Sequence, residues 1–324
     1  MKDNTVGIVR CDSYDYEFVK QSVTRVLDLI GGLTDVVRPG DRVAFKVNMT
    51  GELSPNHGWT THPNVVRAIA ESVLDAGARE LFIVEGSGGA PTTLGAMKAF
   101  GYDEVAKPLG AKIIDLNSPE PYQEFMLVDV PNGGFIHQRI PFNRILLDSD
   151  ILISVPKMKC HDCVGITLAL KNQVGCTPRT VFERGEMVHG KKQGKVTVAD
   201  LRYIMPRAVV DINLARRIDF VVVDAVVGRD LGEGDWISGT RAINTNTIIV
   251  GRNPVAVDVV GCAAMGFDPE ADYPLQPFSR VDNYLKLASE SGLGPCKLSE
   301  ITVKGTPIQE IRQSYRPPSG QTWK

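Results

Sequence analysis

RVAFKVN (Arg42–Asn48), HPNVVRAIAESVLDAG (His62–Gly77) and ELFIVEG (Glu80–Gly86) read in order as strand, helix and strand. The outer two are short, apolar and rich in branched residues. The middle one repeats its apolar positions at helical spacing, with Pro63 in the first turn and Gly77 at the stop. A strand–helix–strand order of this kind predicts parallel strands flanked by helices. Upstream, TVGIV (Thr5–Val9) precedes the helical pattern DYEFVKQSVTRVLDLIGG. Downstream, a glycine-rich turn and another helix lead to KIIDL (Lys112–Leu116).

The middle of the chain is less regular. EFMLVDVPNGGFIHQRI predicts a hairpin around Asn132 and Gly133. IDFVVVDAVVG, NTIIVG and the helical NPVAVDVVGCAAMG then resume the α/β rhythm, and the terminal YRPPSGQTWK reads as a loose tail. The expected fold class is α/β: a mostly parallel sheet flanked by helices, in two lobes with a cleft between them. The lobes are residues 1–120 and 121–324, with a soft boundary that leaves room for one domain.

Composition narrows the function classes. The chain has 324 residues, a net charge of −2 and 43% hydrophobic residues, enough for a sizeable core. No long basic stripe exists to neutralise phosphates, which argues against nucleic acid; GKKQGK (Gly190–Lys195) reads as a solvated loop. No run of about 20 apolar residues exists to span a bilayer, and the N-terminus lacks the apolar core of a signal peptide. A cytoplasmic protein is expected, with six cysteines as thiols or ligands rather than a disulfide framework. A homo-oligomer is compatible with all of this.

Ligands of α/β sheets bind beyond the carboxyl ends of the strands, so the residues there form the candidate site. Lys46 and Asn48 follow the second strand, and a lysine between Phe45 and Val47 needs a partner or a ligand because a buried ammonium is costly, unless it snorkels to the strand end. Glu85 and GSGG follow the third, where backbone amides can cradle an anion. Lys157, Lys159, Cys160 and His161 follow ILISV, and Asp224 precedes the glycine-rich RDLGEGDWISG. Lys171 stands ten residues after His161, between the apolar GITLAL and Asn172. It is expected to be more buried than the lysines of PKMK, with a pKa lowered by desolvation. His161 and His189 can move protons or bind a metal. Cys160 and Cys163 form C-x2-C, with Cys176 further on; this opens a rival reading as a zinc or iron–sulfur site, while small residues packed under a loop are the structural alternative.

Taken together, VAFKVN, TTHPNVVRAIAESVLDAGARELFIVEGSGG, SVPKMKCHDCVGITLALKNQVG, VDAVVG and NPVAVDVVGCAAMGFDP resemble the domain-of-unknown-function family 362 over roughly Val43 to Gly305. Some members of that family carry ferredoxin-type clusters in an attached module, and this chain has no repeated C-x2-C-x2-C run. More distantly, the order of strand, DAGA helix, IVEGSGG turn and KCH…ALKN is similar to the nickel-pincer lactate racemase family. That likeness implies a pincer-type cofactor held by Lys171, ten residues after His161, with His189 in place of a later metal-binding histidine. The chain departs from the pattern in EGSGGAPTT, which lacks a histidine, and in KVNMT, which replaces an aspartate–arginine pair.

The resulting expectation is an enzyme acting on a small anionic metabolite, such as a carboxylate, an amino-acid-like or a phosphorylated compound. Its chemistry would be isomerase- or epimerase-like, or redox. Lys46, Lys157 and Lys159 would hold the anion, Asn48 and Asn172 would orient it, and His161 and Lys171 would perform proton transfer or covalent attachment. His189 and Asp224 would close the site or help bind a divalent metal such as nickel or zinc. The alternatives are a metal-cluster electron carrier or assembly protein using Cys160, Cys163 and Cys176, and a non-catalytic metabolite-binding protein.

Overall fold

The computed structural model describes residues 3–89, 92–182 and 197–321. Among these the strands are β1 (Thr5–Arg10), β2 (Arg42–Val47), β3 (Glu80–Glu85), β4 (Lys112–Asp115), β5 (Met126–Asp129) and β6 (Arg139–Phe142). They continue with β7 (Ile151–Val155), β8 (Lys157–His161), β9 (Gly165–Thr167), β10 (Phe220–Arg229), β11 (Ala242–Gly251) and β12 (Thr302–Gly305). The main sheet runs β12-β1-β11-β10-β7-β2-β3-β4, with β8 paired to β10 and β9. The pairs from β10 through β7, β2 and β3 to β4 are all parallel, whereas β11 is antiparallel to both of its neighbours. β5 and β6 form the separate hairpin around Asn132, whose φ of 57° matches the asparagine preference for left-handed backbone. The main sheet joins β2 and β3 directly to β7 and β10, so it runs without a break across residue 120.

Helices cover both faces. α1 (Tyr16–Leu29), α2 (Pro63–Asp75), α3 (Thr93–Ala99) and α4 (Tyr102–Leu109) belong to the N-terminal part, and α5 (Ile145–Asp148) and α6 (Ala169–Asn172) are single turns. α7 (Val198–Ala215), α8 (Pro254–Ala264), α9 (Tyr284–Glu290) and α10 (Ile308–Ile311) follow. α2 shows why the local sequence suffices. The His62 ring accepts the Asn64 N–H at 3.1 Å, Pro63 presets the first turn, and Val65, Ile69 and Val73 recur on the buried face. Each such side chain contributes about 1.5–3 kcal/mol on burial.

Strand alternation sorts the core into two layers. Val43, Phe45 and Val47 of β2 pack with α1 and α2, while Ala44 faces the opposite layer with Leu152, Val223 and α8 residues. Lys46 alternates onto that second face, under α6. Pro156 ends β7 because it lacks an N–H; its carbonyl accepts from Asp224 N at 2.9 Å, and the chain continues as β8 along β10.

The C-terminal stretch differs from the expected loose tail. Tyr315 is buried with its hydroxyl 2.8 Å from Thr245 Oγ1, and Arg316 pairs with both Asp230 oxygens at 2.7 and 2.9 Å. Ser319 Oγ donates to Asp162 Oδ1 at 2.7 Å. A Pro- and Gly-containing polar segment reads as a tail by composition, but its partners stand far away in the chain.

Candidate functional site

The ends of β2, β3 and β8, together with α6 and the 229–239 loop, enclose a cavity of about 220 Å³. Its deepest wall is the Lys46–Glu85 pair, with Nζ 2.9 Å from Oε1 and both side chains almost fully buried. A buried ion pair persists only when its remaining donors and acceptors are satisfied. Here Lys46 Nζ also donates to Val47 O at 2.6 Å and Asn172 Oδ1 at 3.1 Å. Glu85 accepts the N–H groups of Met49 and Gly86 at 2.7 and 2.8 Å. Asn172 Nδ2 returns to Lys46 O and Ser154 Oγ, and Asn48 Nδ2 donates to Asn172 Oδ1 at 3.1 Å. Gly175 closes this wall: a Cβ there would lie 2.3 Å from Glu85 Oε1 and 2.6 Å from Lys46 Nζ. The glycine of KNQVG is therefore a space requirement of the ion pair.

Alternation along β8 places Lys157, Lys159 and His161 on one face and Met158 and Cys160 in the apolar core. Lys159 and His161 line the cavity. Lys159 is 1% exposed, and its Nζ donates to Thr50 Oγ1 and Trp59 O at 2.7 Å each, tying the loop after β2 to β8. Burial pulls its pKa down to about 7; Glu233 opposes this and Lys171 adds to it. His161 Nδ1 faces the Cys163 N–H at 3.3 Å and Glu233 Oε2 at 3.5 Å, which orients the ring. Burial raises the Glu233 carboxyl, against the Asp162 N–H that its Oε2 accepts at 2.7 Å.

Lys157 and Asp224 do not line this cavity, contrary to the expectation that they bind substrate. They form a pair at 3.0 Å with both side chains 0% exposed. Tyr14 donates to Asp224 Oδ1 at 2.8 Å and also meets Lys157 Nζ, while His62 N donates to Asp224 Oδ2 at 2.8 Å. Tyr14 and the chain at Pro55 seal the ammonium, so it pins the start of β8 to β10. The His62 ring, stacked on Tyr14 at 4.0 Å, is pushed by burial down to about 4.

Lys171 and Asn172 reach the cavity from α6. This single turn is held by Asp258 of α8, whose two oxygens accept the Ala169 and Leu170 N–H groups at 2.7 and 2.9 Å. Complete burial raises that carboxyl to about 7. Lys171 is half-buried, whereas Lys157 and Lys159 are fully buried, which reverses the expected ranking. The reason is tertiary: α6 lays Lys171 along the cavity wall, while β8 runs beneath two loops. His189, like the GKKQGK stretch, lies outside the described residues.

The three cysteines of the rival reading turn away from the cavity into the core. Cys160 Sγ donates to Arg316 O at 3.4 Å and Cys176 Sγ to Gln173 Oε1 at 3.2 Å, and burial raises the Cys160 thiol. No disulfide joins any of the six cysteines. Among the described residues, no three His, Cys, Asp or Glu side chains converge as metal ligands. Lys171 and His161 share the cavity wall.

Sequence reasoning missed several wall residues. Glu233 and Trp236 lie inside RDLGEGDWISG, where an acidic and an aromatic residue among glycines were the available signal. Thr167 was unmarked; it is 3% exposed and its hydroxyl has no partner, as is also true of Asn48 Oδ1. Two unpartnered polar atoms in one cavity wall are what a polar ligand would satisfy.

Comparison with known proteins adds the family. The chain is 27% identical over 271 residues to a thylakoid-associated protein of Synechocystis sp., covering 82% of this chain and 75% of that one. Its structure is similar to the lactate racemase apoprotein of Thermoanaerobacterium thermosaccharolyticum, with TM-score 0.49, 15% identity, 81% of this chain and 57% of that chain. It is also similar to a protein from Thermotoga maritima, with TM-score 0.44, 15% identity, 80% of this chain and 61% of that one. This chain thus spans less than two thirds of either solved structure. No described helix is long and apolar enough to cross a membrane. Residues 43–263, well over half of the chain, match the domain of unknown function DUF362, and the protein belongs to that family.

Proposed function

We propose that the cavity is the active site of an isomerase-type enzyme that moves a proton on a small carboxylate-bearing metabolite. The observation that carries this reading is the gathering of Lys46, Lys159, His161, Lys171 and Glu233 around about 220 Å³. Three lysines against two carboxylates, Glu85 and Glu233, favour an anion there. A volume slightly below the usual range for drug-sized ligands suits a metabolite of few heavy atoms. With Nδ1 accepting the Cys163 N–H, neutral His161 carries its proton on Nε2 and is the residue to give a proton and take it back. Burial of Glu233 and Lys159 pushes their pKa values towards each other, the condition under which acid–base groups work near neutrality. Thr167 and Asn48 would orient a polar substituent of the substrate.

Lys171 is the residue that would hold a pincer-type organic group, with His161 on the substrate side. Such a group supplies an electrophilic centre when bound. Mass spectrometry of the anaerobically purified protein tests that attachment directly.

The activity is tested by incubating the protein in D₂O with single enantiomers of small 2-substituted carboxylates. Deuterium incorporation and loss of optical purity are then followed by NMR. Exchange at the carbon next to the carboxylate is expected, falling about 10²-fold or more in His161→Ala. Unchanged exchange in that variant, or none in the parent protein with any of these substrates, sinks the reading.

A further inference from the structure

We propose a second small-molecule site on the far side of α6, facing away from the candidate active cavity and taking a zwitterionic amino acid with an apolar side chain. It is a cavity of about 530 Å³ at the end of the sheet where β1 and β10 begin. Leu170 and Leu293 give it apolar walls, and the start of α8 at Pro254 forms one side. One polar atom stands out. Asn213 is 2% exposed, and its Nδ2 donates to Leu170 O at 2.9 Å and Val209 O at 2.8 Å. Those two bonds fix the amide orientation and leave Oδ1 buried with no partner. A buried acceptor in a cavity wall without a donor is a cost that a ligand N–H would remove.

The rim supplies the remaining chemistry. Arg217 is exposed, and its guanidinium makes no hydrogen bond or ion pair among the described residues. Glu300 stands on the same rim. A lone anion would meet Glu300 unfavourably and a lone cation would meet Arg217. A zwitterion satisfies both: the carboxylate goes to Arg217, the ammonium goes to Glu300 and Asn213 Oδ1, and the side chain packs on Leu170 and Leu293. The start of α8 is not the anion site, because Asn253 Oδ1 already accepts the Val255 and Ala256 N–H groups at 3.0 and 3.1 Å. Leu170 joins the two sites: its carbonyl is held by Asn213, and the next residue is Lys171.

The test titrates L-leucine and L-phenylalanine into ¹⁵N-labelled full-length protein and follows the Asn213 side-chain amide and the Leu170 backbone amide. Saturable shifts with Kd of about 1 mM or tighter are expected. Arg217→Ala should weaken binding about ten-fold, as expected for loss of one charged hydrogen bond. Ser289→Phe, which fills the cavity from α9, should abolish it, whereas Lys171→Ala on the other side of α6 should leave it unchanged. No saturable shift with either amino acid overturns the proposal. So does binding that survives Arg217→Ala and Ser289→Phe at full strength, or binding lost in Lys171→Ala.

Discussion

Lys46–Glu85 and Lys157–Asp224 are two lysine–carboxylate pairs of nearly equal length, 2.9 and 3.0 Å, and both are almost completely buried. They differ in what lies beside them. Lys46 and Glu85 form the wall of the cavity, with Asn48 and Asn172 bridging to it. Lys157 and Asp224 sit under Tyr14, with the Asp224 oxygens taken up by Tyr14, the His62 N–H and Lys157 itself. Burial and pairing alone thus do not mark a functional lysine. Access from a cavity separates a pair that can meet a ligand from one that fastens two strands together.

The strongest way to break this comparison is to remove one partner of the sealed pair. Lys157→Met should destabilise the protein by about 3–5 kcal/mol, because Asp224 stays buried without its cation. Chemical denaturation measures it, and Lys157→Met combined with Asp224→Asn should recover part of the loss. A fall below about 1 kcal/mol would show the cluster to be hydrated rather than sealed.

Lys46→Met should cost less, about 1–3 kcal/mol, since Glu85 keeps the Met49 and Gly86 N–H groups and faces a cavity that water can enter. It should nonetheless abolish ligand binding and turnover. Equal stability losses for Lys46→Met and Lys157→Met would erase the distinction between the two pairs.

Asp258 sharpens the comparison by holding α6 over Lys46. Its carboxyl is raised from 3.8 to about 7 in the folded state. The folded state therefore binds more protons across that window, and the stability this group contributes is full below about pH 4 and lost as pH rises through 7. Asp258→Asn should remove that component of the pH dependence and cost about 1–2 kcal/mol at acid pH, where one N–H loses its acceptor. Lys159 runs the other way: its pKa falls from 10.5 to about 7, so its contribution to stability grows as pH rises from 7 to 10.5. Denaturation curves across pH 4–10 read both slopes; a slope unchanged by Asp258→Asn rules out this carboxyl as its source.

The smallest stability effect is expected at Lys171, which is half-buried. Lys171→Ala and Lys171→Arg should each shift stability by less than about 1 kcal/mol, yet both should lose ligand or cofactor retention, because a guanidinium neither acts as a base nor forms the same adduct. Full retention in Lys171→Arg would reduce this residue to a charge on the wall.

The α/β rhythm was legible because each element carries its own signal. α2 has its cap, first-turn proline and 65–69–73 stripe within one stretch, and β2 and β3 are runs of apolar residues. Lys46 between Phe45 and Val47 stood out in the sequence, with snorkelling to the strand end as the bland alternative; the structure buries it against Glu85. Period two along β8 puts Lys157, Lys159 and His161 on one face and Cys160 on the other, a separation that reading KMKCH as one cluster did not draw.

What sequence could not decide was which of those same-face residues meets the cavity. That depends on Tyr14, which stands 143 residues from Lys157 and seals it, and on Glu233, which stands 71 residues beyond Asp162 and turns towards His161. Asp258 reaches α6 from 89 residues away, and the C-terminal segment docks on Asp230 across 86 residues. Local spacing determines helices, strands and the alternation of faces because those follow from backbone geometry within a few residues. Which polar group is sealed and which is open is set by loops that arrive from elsewhere in the chain, so only the tertiary structure decides it.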